Sequence, residues 1–262
     1  MKKLFSLPLI LSALFVLISN TQAQDVDSLL SLGDKYYKDF DNEKALEIYK
    51  KADVKSPDNW RILWRISRAH VDIGEHMPTS TDEQQEAQIE KYNLAFEYAD
   101  RAVQLAPDQS LPYLRRAIAN GRVALFKGVF SVADVVNSVR DDCQKALELN
   151  TGGEDNQAIT HYVLARTHAK ISEKWAPARA VLGLGWADLD SALVHYDKAI
   201  KMKPNFVMFY LDYAKALISD DNYEDAKTML ESAIKSPIED EDDAKKIEEA
   251  KALLEEVKEE LE

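Results

Sequence analysis

Residues 26–57 read VDSLLSLGDKYYKDFDNEKALEIYKKADVKSP, and this stretch decides the fold. Its apolar residues recur at spacings of three and four, the period of an amphipathic α-helix. Gly33 allows two helices to approach closely, and Ala45 and Ala52 are small where the helix backbones cross. Pro57 ends the second helix because proline cannot continue one. The stretch therefore predicts a pair of packed helices.

The same pattern recurs four more times, with less fidelity, and its 34-residue unit is typical of tetratricopeptide repeats. The later units are marked by Leu63 and Pro107, Tyr113 and Leu149, His161 and Pro204, and Tyr210 and Ala233. Residues 240–262 carry apolar side chains at spacings of three and four among many acids. We expect an all-α solenoid of about five tetratricopeptide helix pairs over residues 24–239, closed by an acidic capping helix over 240–262. We expect removal of this helix to leave the groove of the solenoid unaltered.

Three insertions lengthen the middle units. Residues 75–86 are polar and predict a mobile loop. Residues 123–139 and 175–186 are apolar, so we expect them to form extra helical turns packed against the solenoid.

Composition excludes several classes of protein. The 262 residues are 46% hydrophobic and 30% charged, with only eight glycines and eight prolines, which favours long helices over a turn-rich β fold. The single cysteine, Cys143, excludes an intrachain disulfide and a multi-thiolate zinc cluster. The net charge of -13 disfavours binding to nucleic acid.

The N-terminus has the composition of a secretory signal peptide. Lys2 and Lys3 precede an apolar run over residues 4–18, and small and polar residues follow up to Ala23. We expect residues 1–23 to be removed near Ala23 and the chain to be exported to the periplasm of a bacterial envelope. An uncleaved membrane anchor is the alternative.

The sequence contains no recognisable catalytic constellation. His161 and His168 share a helical face that could present two imidazoles to a metal, but their repeat positions favour histidines packed in the core. Cys143 occupies a core position where a buried thiol is inert. We therefore expect no catalytic residue, no metal site and no cofactor.

The candidate binding residues are mostly cationic. In such solenoids the first helix of each unit lines the concave groove, and its groove positions collect Arg61, Arg65, Arg68, Arg115, Arg122, Arg166, Lys170 and Lys215. Trp64 and Tyr162 are aromatic candidates on the same helices. A basic groove would concentrate an anionic ligand, such as an acidic peptide segment, a peptide carboxyl terminus or a lipid head group. The alternative is that these cations pair with acids of neighbouring helices and that the two aromatic side chains are ordinary packing.

Two functions follow from these features. The first is a non-catalytic, exported scaffold that binds a protein or peptide partner in its groove. The second is a carrier of lipid or another hydrophobic ligand, in which the apolar insertions close over the groove.

Beyond the repeats, the chain resembles the regulator of microtubule dynamics family and its bacterial relatives over residues 26–258. The resemblance rests on residues 63–69 (LWRISRA), 161–166 (HYVLAR) with Trp175 after them, and 188–193 (DLDSAL), together with Ser236-Pro237 before the acidic helix. It implies an interaction or membrane-associated scaffold rather than a catalyst.

Overall fold

The computed structural model describes residues 24–127 and 133–262. Within these ranges the chain forms twelve helices and no strand. Helix α1 covers residues 24–38. The others are α2 (Asn42–Lys55), α3 (Trp60–Glu75), α4 (Asp82–Leu105), α5 (Ser110–Lys127), α6 (Ala133–Leu149), α7 (Glu154–Ser172), α8 (Ala176–Val181), α9 (Leu189–Met202), α10 (Val207–Ile218), α11 (Tyr223–Lys235) and α12 (Asp243–Glu260). The signal peptide expected over residues 1–23 lies outside the described residues.

The long helices pack as five successive pairs, which confirms the all-α solenoid. The pairs are α1 with α2, α3 with α4, α5 with α6, α7 with α9, and α10 with α11. Small residues lie between the helices of each pair, as the repeat pattern requires: Ala45, Ala52, Ala95, Ala146, Ala199 and Ala226 are all fully buried. In the first pair the Tyr49 ring occupies the space that a side chain at position 33 would need.

Half of the insertion at residues 75–86 is helical, so the expectation of a mobile loop is wrong for that half. Helix α3 ends at Glu75 and α4 already begins at Asp82. Thr81 caps α4, and the Gln84 side chain accepts a hydrogen bond from the backbone N–H of Thr81. This capping box is readable in the sequence as Thr81 followed three residues later by Gln84.

The apolar insertion at residues 175–186 is only partly buried, contrary to our expectation. It forms α8 and a turn in which Leu184 is fully buried and the Trp186 indole N–H donates to Asn137 Oδ1 at 2.8 Å. Trp175 is 74% exposed and Val181 is 87% exposed. The second half of the insertion therefore anchors it, while the first half presents apolar side chains outward.

The other apolar insertion, 123–139, extends α5 and begins α6. Val123, Ala124, Val136 and Val139 are buried. Residues 128–132 lie outside the described residues.

Helix α12 packs on α10 and α11 through buried Ala250 and Val257. The segment before it, residues 236–242, is called the capping loop here. Fully buried Asp243 holds this loop, because Asp243 Oδ2 accepts hydrogen bonds from the backbone N–H groups of Glu239 and Asp240 at 2.9 and 2.7 Å. The loop reaches the opposite end of the solenoid, where the Asn42 side-chain amide donates to Glu241 Oε2 at 3.1 Å.

Among the described residues, no helix combines the length and the apolar character needed to cross a membrane.

Candidate functional site

The first helices of the repeats surround a cavity of about 210 Å³, called the main cavity here. Apolar side chains dominate its walls: Val71, Ile118, Leu125, Val136, Val139, Ile159, Val163, Ile171, Phe206, Met208 and Phe209. Charged side chains from three repeats and the capping loop complete it: Asp72, Glu75, Arg115, Arg122, Arg166, Lys170 and Asp240. The groove is therefore an apolar chamber with charges of both signs, not a uniformly basic surface.

Only part of the predicted site reaches this cavity. Arg115, Arg122, Tyr162, Arg166 and Lys170 line it. The other five predicted residues, Arg61, Trp64, Arg65, Arg68 and Lys215, are absent from its lining.

Almost all the predicted cations are tied to carboxylates. The shortest pairs are Arg61 with Asp27 at 3.1 Å, Arg65 with Asp34 at 2.7 Å, Arg68 with Asp34 at 3.4 Å, Arg166 with Asp212 at 3.5 Å, Lys170 with Glu173 at 2.7 Å, Lys215 with Glu249 at 2.7 Å, and Arg122 with Glu75. Several of these pairs join one repeat to the next, so the structure favours the alternative that these cations tie the stack together.

Arg115 is the exception among the eight cations. No carboxylate of the described residues lies within 4.0 Å of its guanidinium, and its buried Nε has no hydrogen-bond partner. Burial lowers the pKa of Arg115 to about 10, and the nearby Arg68 adds to this effect. The group is still charged at neutral pH, so it remains available to a ligand in the main cavity.

The two aromatic candidates are packed. Trp64 is 9% exposed, and the guanidinium carbons of Arg65, Arg68 and Arg115 lie 4.3, 5.0 and 5.6 Å from its ring centroid. Tyr162 lines the cavity, stacks on Phe209 and donates its hydroxyl to Asp212 Oδ2 at 2.7 Å. Trp64 thus positions guanidinium groups, whereas Tyr162 forms part of the cavity wall.

A second cavity of about 150 Å³ adjoins the first, and we call it the acidic recess. It is lined by Tyr37, Lys38, Phe40, Asn42, Asp72, Glu75, His76, Glu239, Asp240 and Glu241. Tyr37, Asp72, Glu75 and Asp240 line both cavities, so the two spaces are adjacent and share these four side chains.

The ionisable groups of the recess influence one another. Burial raises the pKa of Asp72 to about 6; repulsion by Glu75 and Asp240 adds to this shift, and attraction to Arg68 and Arg115 opposes it. The pKa of His76 is raised although burial opposes it, because its ring nitrogen Nδ1 contacts the Asp72 carbonyl and its ring lies near Glu241 and Asp242. The recess therefore has an excess of negative charge at neutral pH.

His161, His168 and His195 pack together between two helices, and Cys143 is fully buried. His161 Nδ1 lies 2.8 Å from His195 Nδ1, and His168 stacks on His195 between α7 and α9. Burial lowers the pKa of both His161 and His195 to about 4 and raises the pKa of the buried Cys143 thiol. No group of three metal-ligating side chains converges among the described residues.

Sequence reasoning missed the acidic half of the site. Asp72 lies on the same first helix as the predicted arginines, so its place in the groove could have been read from the repeat register. Asp240 could not, because the capping loop has no place in the repeat pattern.

The family model for regulator of microtubule dynamics proteins 1–3 matches residues 29–258 of this chain. The chain belongs to the regulator of microtubule dynamics family. The match covers most of α1, all of α2 to α11, the capping loop and nearly all of α12, so both cavities lie within the family's shared region.

Regulator of microtubule dynamics protein 1 from Bos taurus is 24% identical over 186 residues, which are 70% of this chain and 56% of the bovine protein. The protein of the same name from Mus musculus is 25% identical over 185 residues, covering 69% of this chain and 58% of the mouse protein. This regulator of microtubule dynamics family member thus spans somewhat more than half the length of these relatives.

Solved structures support the same fold. A thermophilic tetratricopeptide protein from Thermus thermophilus superposes with a TM-score of 0.61 at 16% identity, covering 87% of this chain and 99% of the other. The pilF protein of Pseudomonas aeruginosa superposes with a TM-score of 0.54 at 11% identity, covering 90% of this chain and 93% of the other. At these identities the likeness shows the tetratricopeptide fold alone.

Proposed function

We propose that this chain is an exported, non-catalytic scaffold that binds an extended segment of a partner protein in the main cavity. The observation that carries the proposal is the cavity itself, which is mostly apolar and is lined by the first helices of all five repeats or by residues adjoining them. Membership of the regulator of microtubule dynamics family and the tetratricopeptide fold favour a scaffold over an enzyme.

The walls of the main cavity suit a peptide. Partly exposed apolar side chains such as Ile118 and Met208 offer contacts to apolar side chains of a ligand. Arg115 has unused donors that can meet a backbone carbonyl or a carboxylate of the same segment. The carboxylate that reaches Arg115 would come from the partner's carboxyl terminus or from one of its acidic residues, as the sequence led us to expect.

The test is cross-linking in the native envelope followed by identification of the bound protein. The double variant Ile118→Gln/Met208→Gln should lose the partner, because amide groups placed on the walls oppose the burial of apolar side chains. Val54→Gln is the matched control, since Val54 is apolar but 82% exposed on α2. Equal cross-linking by wild type and the double variant would refute the binding site.

Export is tested separately. We expect the N-terminal sequence of the protein recovered from the periplasmic fraction to begin near Gln24. Recovery of the intact N-terminus from the cytoplasm would exclude this part of the proposal.

A lipid is the second candidate occupant, because an apolar chamber with charged groups around it also suits an amphiphile. Native mass spectrometry of the purified chain would show co-purified lipid if this were its ligand. Protein that is consistently free of lipid would count against this candidate.

A further inference from the structure

The acidic recess has five carboxylates and few cations to balance them. Asp72, Glu75, Glu239, Asp240 and Glu241 line it, against Lys38 and the titratable His76. Arg122 pairs with Glu75, and the Lys246 ammonium lies 3.5 Å from Asp240 Oδ1. The Glu241 carboxylate accepts from the Asn42 amide and lies 3.6 Å from the His76 ring. These contacts leave the negative charge of the recess incompletely neutralised.

Asp72 is the least satisfied of these groups. Its Oδ2 atom is buried and accepts no hydrogen bond, and no cation of the described residues lies within 4.0 Å of the carboxylate, although Arg68 and Arg115 are near enough to lower its pKa. A buried carboxylate without a partner costs free energy unless a donor or a cation reaches it. Because Asp72 lines both cavities, a ligand in the main cavity comes directly to it.

The remaining walls suit the stem of a long basic side chain. Tyr37 and Phe40 line the recess; the Arg68 guanidinium already lies over one face of the Tyr37 ring, whereas Phe40 is 42% exposed. Aromatic rings contact the methylene groups of lysine or arginine and attract the charge at its end. Because the two cavities share four lining residues, one extended segment that passes them can place apolar side chains in the larger space and a neighbouring side chain in the smaller one.

We propose that the partner segment carries a lysine or arginine whose cationic group enters the acidic recess and pairs with Asp72. This inference rests on the proposed function and names the chemistry of the partner. It reverses the sign of the ligand expected from the basic residues of the groove, because all of those cations except Arg115 are paired with carboxylates, while Asp72 has no paired cation. A metal ion fits the recess less well, since no three ligating side chains converge there within the described residues.

The test uses the full-length chain and peptides of known sequence. A phage library of random dodecapeptides is selected on the immobilised chain, and one enriched peptide is synthesised as the probe. Its basic residue is then replaced by norleucine, which keeps the aliphatic stem of the side chain and removes the charge. Both peptides are titrated against wild type, Asp72→Asn and the control Glu256→Gln, which alters an exposed acid on α12.

We expect enrichment of lysine or arginine, and a loss of at least about tenfold in affinity when norleucine replaces it on wild type. For Asp72→Asn, the same replacement in the peptide should lower the affinity by less than about threefold. Glu256→Gln should bind both peptides as wild type does. Thermal melting of Asp72→Asn shows whether it folds. If it does not, binding of the probe to wild type must still weaken with added salt.

Two results would overturn the inference. Peptides that bind but are enriched in acidic residues, or are indifferent to norleucine, would leave the proposed function standing and exclude the cation site. Failure of any peptide to bind, together with co-purified lipid, would exclude the proposed function and this inference with it.

Discussion

Gly33 lies against Tyr49 so closely that an added Cβ would come within 2.4 Å of the ring. The Tyr49 hydroxyl donates to Asp34 Oδ1 at 2.7 Å, and Asp34 also holds Arg65, so the ring cannot move without disturbing this network. We expect Gly33→Ala to lower the free energy of unfolding by about 1–3 kcal/mol. Chemical denaturation followed by circular dichroism measures this change.

Gly121 provides the control. It also lies within a helix, but a Cβ there would meet no atom within 4 Å. Gly121→Ala should therefore stabilise the chain by about 0.5–1 kcal/mol, because alanine loses less conformational entropy on folding. Equal effects of the two substitutions would contradict the close approach at Gly33.

The side-chain partners show where sequence reasoning reaches its limit at this scale. The repeat register correctly placed Arg65 and Arg166 on first helices. Their carboxylate partners, Asp34 and Asp212, come from neighbouring repeats, and the first lies 31 positions from Arg65. The repeat pattern does not encode which acid pairs with which base. The sequence therefore left two alternatives open: cations free to bind a ligand, or cations paired with acids of neighbouring helices.

At the scale of elements, the interface between α7 and α9 should be sensitive to acid. The pKa of His161 and of His195 is about 4 in the folded chain, against an ordinary value near 6.5. The unfolded chain therefore binds protons first, so the stability from these neutral rings is complete above pH 6.5 and is lost as the pH falls toward 4. We expect the melting temperature to decrease between pH 6.5 and 5.

The variant His195→Gln isolates this effect, because its pH dependence should be flatter than that of wild type. The comparison is needed because the raised pKa of Asp72, about 6, acts in the opposite direction and favours the folded state as the pH falls. Parallel curves for the two proteins would show that the His161–His195 pair does not control acid stability; the buried His70, whose pKa is also lowered to about 4, is unchanged in this variant.

Helix α12 should be required for stability, and it also affects the site. Truncation after Pro237 would expose Leu230 and Ala226, which are fully buried. Each buried aliphatic side chain contributes about 1.5–3 kcal/mol, so we expect a lower melting temperature or aggregation, measured by calorimetry and light scattering. A monomer with unchanged melting temperature would contradict the capping role.

The expectation that this truncation leaves the groove unaltered is wrong. Asp240 lies in the capping loop and lines both cavities, so the same deletion removes part of their wall. Periodicity predicted α12 well because its apolar stripe repeats every three to four residues. It could not predict where the loop before α12 would lie.

At the scale of the whole molecule, the number of helix pairs was predictable, whereas the approach of the two ends was not. Local spacing specifies each pair, but the curvature of the stack is the sum of small rotations between pairs. Contacts such as that between Asn42 and Glu241, 199 positions apart, depend on this sum.

A more mobile capping loop should therefore increase local opening in the first repeats. We expect Asp243→Ala, which removes the acceptor for Glu239 and Asp240 N–H, to increase amide hydrogen exchange in the loop and at the C-terminal end of α3 near His76. Exchange that increases only within α12 would show that the loop contact is not coupled to the early repeats.

The contact of the capping loop with α2 also bears on how the chain unfolds. A linear repeat array contacts only its neighbours, so it can fray from either terminus and its cooperativity falls with length. The contacts of the capping loop with Asn42 and His76 tie the two ends of the array together. We therefore expect unfolding to be more cooperative than in an open array. These contacts close a loop of nearly 200 residues, so we also expect them to form late and to slow the last step of folding.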